Sequence, residues 1–76
     1  MKGYTQQTVR KNKDASIESW GVRLGRLCIA KNVSVQVVSS MLGVSHTTVY
    51  AWFTGQKKPF KKRIPEIQEF INNLEV

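Results

Sequence analysis

The stretch VSVQVVSSMLGVSHTTVY, residues 33–50, carries no charged side chain and is crowded with β-branched residues. Such a run can fold in two ways. As a strand, Val33, Val35 and Val37 share one face with Ser34 and Gln36 on the other, but strict alternation then throws Val38 onto the polar face. As helices, Ser34 is an N-cap, and Val38 and Leu42 stand at i and i+4 on an inward face flanked by Val35 and Met41. Gly43 then supplies the positive φ that ends this helix, Val44 anchors the turn, and Ser45 caps a second helix. In the second helix Val49 and either Trp52 or Phe53 point inward, while His46, Thr47, Tyr50 and Thr54 point out, and Gly55 ends it. The β-branched residues lower helix propensity by roughly a few tenths of a kcal/mol each, which packing overrides. Helices are the expectation.

The rest of the chain divides around this unit. Residues 1–13 lack apolar periodicity and are expected to form a basic, flexible N-terminal arm. Over residues 15–31 the apolar side chains of Ile17, Trp20, Leu24, Leu27 and Cys28 recur at three- and four-residue steps, which predicts one helix. Asp14 is its expected N-cap and Asn32 its left-handed stop. Gly21 and Gly25 weaken that helix by about 1 kcal/mol each relative to Ala, but their four-residue spacing allows a neighbouring helix to pack closely. Near the end, Pro65 fits the first turn of a last helix whose stripe is Ile67, Phe70, Ile71 and Leu74. The expected fold is all-α, a compact bundle of four to five short helices occupying residues 14–76.

Charge narrows the function. Twelve Lys and Arg against five Asp and Glu give a formal charge of +7 on 76 residues, a balance that favours a polyanionic partner. The charge is bracketed: Lys2, Arg10, Lys11 and Lys13 lie at one end, and Lys57, Lys58, Lys61, Lys62 and Arg63 follow the uncharged segment. Phosphate grip at the edges and base reading in the middle would use that pattern. One cysteine and one histidine can build neither an internal disulfide nor a zinc site. No apolar run approaches the ~20 residues of a membrane span, and no signal-peptide apolar region opens the chain. The expectation is a soluble cytoplasmic protein, in a bacterial host cell or associated with its nucleoid. With no nucleophile–base set and no Gly-rich phosphate loop, no enzyme activity, cofactor, metal, membrane or small-molecule ligand is expected.

The two central helices meet the demands of a helix-turn-helix in one register. Ser39 is the small residue where the helices cross, Gly43 the turn glycine, and Val38, Leu42, Val44, Val49 and Trp52 the inward positions that fix the angle. Over residues 34–59 the chain resembles the phage-repressor type of helix-turn-helix family, to which lambda repressor and the Cro proteins belong. The residues that carry the likeness are Leu42, Gly43, Val44 and Ser45, then Thr48 to Trp52, then Gly55, Gln56, Lys57, Lys58 and Pro59. It extends weakly back to Gly21, Val22, Arg23 and Leu24. Two departures stand out. Val35 occupies a position where many members have a phosphate-touching Gln, leaving Gln36 as the neighbour able to do so. Cys28 and Phe53 stand where some members bury an Arg–Glu pair, so an apolar contact is expected there.

The resemblance implies a motif at residues 34–54 with a recognition helix at 45–54 that enters the DNA major groove. Carried over by position, His46, Thr47 and Tyr50 read bases. Ser34, Gln36, Ser45, Thr54, Lys57, Lys58, Lys61, Arg10, Lys11 and Lys13 are candidates for the DNA backbone. Tyr50 reaches a base or a phosphate, or packs on the basic loop. The function expected is a sequence-specific, double-stranded DNA-binding transcription regulator, Cro- or repressor-like, from a phage or bacterium, acting by occluding a near-palindromic operator. A weak homodimer through Phe70, Ile71, Leu74 and Val76 of the last helix is part of that expectation. Two rivals stand beside it: an antitoxin-like or adaptor interaction protein, and a non-specific nucleic-acid binder that uses charge alone.

Overall fold

Three hydroxyl side chains set where helices begin. In the computed structural model, which describes residues 4–75, Thr5, Ser34 and Ser45 each hold extended backbone. Each accepts a hydrogen bond from the amide three residues on, those of Thr8, Val37 and Thr48. Such a cap satisfies one orphan amide of a first turn and stabilises a helix by roughly 1 kcal/mol. The described residues form five α-helices: α1 (Gln6–Asp14), α2 (Trp20–Lys31), α3 (Val35–Leu42), α4 (His46–Phe53) and α5 (Ile64–Glu75). A 3-10 turn spans Lys61–Arg63, and there is no strand among these residues. The fold is the expected all-α bundle.

The stops are equally local. Asn32 ends α2 at φ 59° and Gly43 ends α3 at φ 69°, both left-handed, where Gly and Asn carry the least steric penalty. Ser39 does more than stay small at the α3–α4 turn. Its carbonyl accepts from the amides of both Gly43 and Val44, and its hydroxyl donates to the Val44 carbonyl. The turn is therefore tied twice to one residue of α3.

The core is where α2, α3, α4 and α5 meet. Leu24, Cys28, Val38, Val49, Phe53 and Ile67 have no exposed surface, with Val35, Leu42, Trp52 and Ile71 nearly so. Both inward candidates of α4, Trp52 and Phe53, are buried. Cys28 and Phe53 share this apolar cluster. Gly21 and Gly25 let α2 lie against α4: a Cβ on Gly21 would stand 2.7 Å from Cβ of Trp52, and one on Gly25 would stand 2.7 Å from Cγ of Phe53. Met41, expected to flank the inward face of α3, is instead 69% exposed.

The larger correction concerns the N-terminus. Residues 6–14, read as a flexible arm, are helix α1 and belong to the same bundle as the rest; residues 1–3 of that arm, Lys2 included, lie outside the described residues. Asp14 ends α1 rather than capping the next helix. Ala15 is extended, Ile17 sits half-exposed in the connection, and α2 starts at Trp20, five residues later than expected. The physical reason is Asn12. It occupies the inward position of α1 at 2% exposure, and its amide donates to the carbonyls of Phe53 (2.6 Å) and Val22 (3.2 Å). Arg26 of α2 completes the latch by donating to the carbonyls of Asn12 (2.9 Å) and Lys13 (3.3 Å). A helix docked through a polar residue shows no apolar periodicity.

These contacts predict an order of stabilities. Gly43→Ala, whose methyl meets nothing within 4 Å, should lose only the left-handed strain of roughly 1–2 kcal/mol. Gly21→Ala gains about 1 kcal/mol of helix propensity, yet thermal denaturation should find it the less stable of the two, because its methyl meets the backbone of Trp52. A Gly21→Ala protein that melts above wild type would mean that α2 and α4 do not touch there. Asn12→Ala should cost about 1–3 kcal/mol by stranding a buried carbonyl at the end of α4. Amide exchange in α1 should accelerate with it. Unchanged protection of α1 would show that Asn12 does not hold it.

Candidate nucleic-acid interface

Because Val49, Trp52 and Phe53 are buried, α4 turns His46, Thr47 and Tyr50 outward together, and all three are exposed. They form a ridge with a hollow on either side. On one flank His46 and Tyr50 border a hollow with Tyr4, Asn32, Ser34, Val35 and Gln36. On the other, Thr47 and Tyr50 border a groove of about 340 Å³ that α1 closes from its far side with Gln7, Thr8 and Lys11. Thr54, Gln56 and Lys57 complete that groove. Among the described residues neither hollow has a carboxylate in its wall.

The expected backbone contacts divide by position. Ser34 and Gln36 lie at the first hollow, and Lys11, Thr54 and Lys57 at the second. Ser45 lines neither, since its hydroxyl caps α4 and meets the Thr48 hydroxyl at 3.0 Å. Thr54 donates its hydroxyl to the Tyr50 carbonyl at 2.8 Å. Lys58 and Lys61 are exposed on the following loop but border neither hollow. Arg10 and Lys13 are on the opposite flank of α1, in a separate depression with Gln6, Val9 and Asp14. Arg63, read as the end of a phosphate clamp, is engaged: its guanidinium donates to the Leu42 carbonyl at 2.8 Å and pairs with Glu66 at 3.2 Å. It satisfies an orphan carbonyl at the end of α3.

Sequence reasoning missed Tyr4, Gln7, Thr8, Gln56 and the exposed Phe60 between the loop lysines (75% exposed). The signal for the first three was Thr5, an N-cap residue followed by the strong helix formers Gln, Arg and Lys. Tyr4 donates its hydroxyl to the Val33 carbonyl and packs on Phe53 with ring centroids 6.1 Å apart. Burial, with Cys28 and Tyr50 nearby, holds its phenol well above the ordinary tyrosine range. Its single O–H is taken up by the Val33 carbonyl, so Tyr4 braces the wall of the hollow rather than offering it a donor.

Among the described residues no group of three or more His, Cys, Asp or Glu could hold a metal ion, and no helix is long and apolar enough to cross a membrane. No protein-family model, curated protein or solved structure matches the chain.

Cys28 is fully buried and burial pushes its thiol up to about 12, so at neutral pH it carries no thiolate to act as nucleophile. A thiol reagent at pH 8 should label Cys28 only as fast as the protein opens, and at once in denaturant. Rapid labelling of the folded protein would contradict its place in the core.

Proposed function

We propose that the chain is a sequence-specific double-stranded DNA-binding transcription regulator of the repressor or Cro kind, which occludes a near-palindromic operator. One observation carries this reading: α4 presents His46, Thr47 and Tyr50 as a ridge between two carboxylate-free hollows. B-DNA's major groove, about 12 Å wide, admits an α-helix. A helix lying in it has a phosphate strand along each edge, where Ser34 and Gln36 on one side and Lys11, Thr54 and Lys57 on the other would meet them. The lysines position, and the ridge reads.

Thr47 offers a hydroxyl to base edges and a methyl to thymine, His46 a ring nitrogen to a base or phosphate, and Tyr50 a phenol. Lys58 and Lys61, free on the loop, add charge along the same strand. Pairing of two copies through the end of α5 belongs to the proposal as a weak association, strengthened on half-sites ~34 Å apart. Phe70 and Leu74 are already half-buried against the core, which keeps it weak; Val76 lies outside the described residues. An interaction protein would want an unpaired apolar face on that last helix, and the packing of Ile67 and Ile71 removes most of it.

Selection from a random duplex library tests this reading, followed by binding to the selected and a scrambled duplex. Lys57→Ala and Lys58→Ala should weaken both alike and reduce the salt slope by about one per lost phosphate contact. Thr47→Ala should cost roughly 1–3 kcal/mol on the selected duplex and little on the scrambled one. Equal losses on both duplexes for every variant would leave a binder that uses charge alone.

A further inference from the structure

The two ends of the chain's basic bracket meet at one place. Lys11 of α1 and Lys57 of the loop after α4 border the same groove, together with Gln7 and Gln56. Among the described residues these four side chains make no hydrogen bond or ion pair, whereas Arg26 and Arg63 are bonded to carbonyls. Lys is a donor without acceptor capacity, and each Gln adds two donors. Four unengaged donor groups with no carboxylate beside them suit a chain of anionic oxygens.

Resting on the DNA-binding reading, we infer that α1 is a second gripping element: Gln7 and Lys11 hold the same sugar-phosphate strand as Lys57, in the groove between α1 and α4. The grip is built before DNA arrives. Asn12, one residue beyond Lys11, is bonded to the end of α4 through the Phe53 carbonyl, so the backbone that carries Lys11 is held in place relative to the ridge that carries Thr47. Preorganisation of this kind spares the ordering entropy that a flexible arm would lose on binding. The same latch turns Arg10 and Lys13 to the other flank of α1, away from that strand. Charge of equal sign, a few residues apart, is thereby divided into a gripping residue and two bystanders.

Lys13 is therefore a charge-matched control for Lys11. Phosphate-ethylation interference and salt-dependent binding on the selected duplex would compare wild type with Gln7→Ala, Lys11→Ala, Lys13→Ala and Lys57→Ala. All four side chains are exposed and unbonded, and matching circular dichroism would verify the fold of each variant. Lys11→Ala should reduce the salt slope by about one and abolish interference at phosphates adjoining those lost in Lys57→Ala, on one strand. Gln7→Ala should weaken selected and scrambled duplex alike, by about two- to tenfold. Lys13→Ala should leave the interference pattern unchanged. Equal effects of Lys11→Ala and Lys13→Ala, or none from Lys11→Ala and Gln7→Ala, would overturn the inference while wild-type binding left the DNA reading standing. A wild-type protein that binds no duplex would overturn both.

Discussion

The contact between the glycine face of α2 and the aromatic edge of α4 governs the rest of the structure. A methyl at Gly21 or Gly25 would come within 3 Å of Trp52 or Phe53, so the two helices are as close as side-chain-free backbone permits. That approach buries Phe53 completely and Trp52 almost so, and it settles the rotation of α4 about its own axis. With Val49 and Ala51 also buried and Thr48 half-buried, His46, Thr47 and Tyr50 are the exposed positions of α4. The two glycines weaken α2 taken alone, and the bundle recovers that loss as apolar area removed from water around two large aromatic side chains.

A polar latch complements this apolar contact. Asn12 is the buried polar residue among the described residues, and both of its amide bonds go to backbone carbonyls of other helices. Burying an amide is unfavourable unless it is bonded, and bonded it specifies one arrangement. Arg26, one turn after Val22 on α2, adds donors to the backbone at the end of α1. Together they make α1 a wall of the groove beside α4, and Tyr4, seated on Phe53, borders the first hollow on the other flank of the ridge.

The basic residues separate into two populations with different work. Arg23 lies over the Trp20 ring at 4.7 Å and donates to the Ile17 carbonyl. Arg26 and Arg63 satisfy carbonyls at or near helix ends. The planar, multi-donor guanidinium suits such roles. The lysines of α1 and of the loop stay exposed, single charges on long stems, and hold the net positive potential at the surface. Composition counts all twelve basic residues alike; the fold engages the arginines of α2 and the 3-10 turn in structure and leaves the lysines of α1 and the loop exposed.

By itself the sequence determined the unit from α3 through α4: its caps at Ser34 and Ser45, its turn at Gly43, and the inward set of Val38, Leu42, Val49 and Trp52. All of these are local, since a cap reaches three residues and a helical stripe repeats every three or four. The last helix, with Pro65 in its first turn, was legible for the same reason. The outward face of α4 followed as the complement of its inward one. Only tertiary structure decided that residues 6–14 form a docked helix, because the partner that makes Asn12 an inward residue, Phe53, is 41 positions away and leaves no periodic trace. It likewise decided that Ile17 lies outside the helix whose spacing it fits, that Arg63 is engaged at the end of α3, and that Lys11 shares a groove with Lys57 while Lys13 does not. Each depends on which backbone carbonyl or helix face lies opposite, and spacing along a chain carries no record of that.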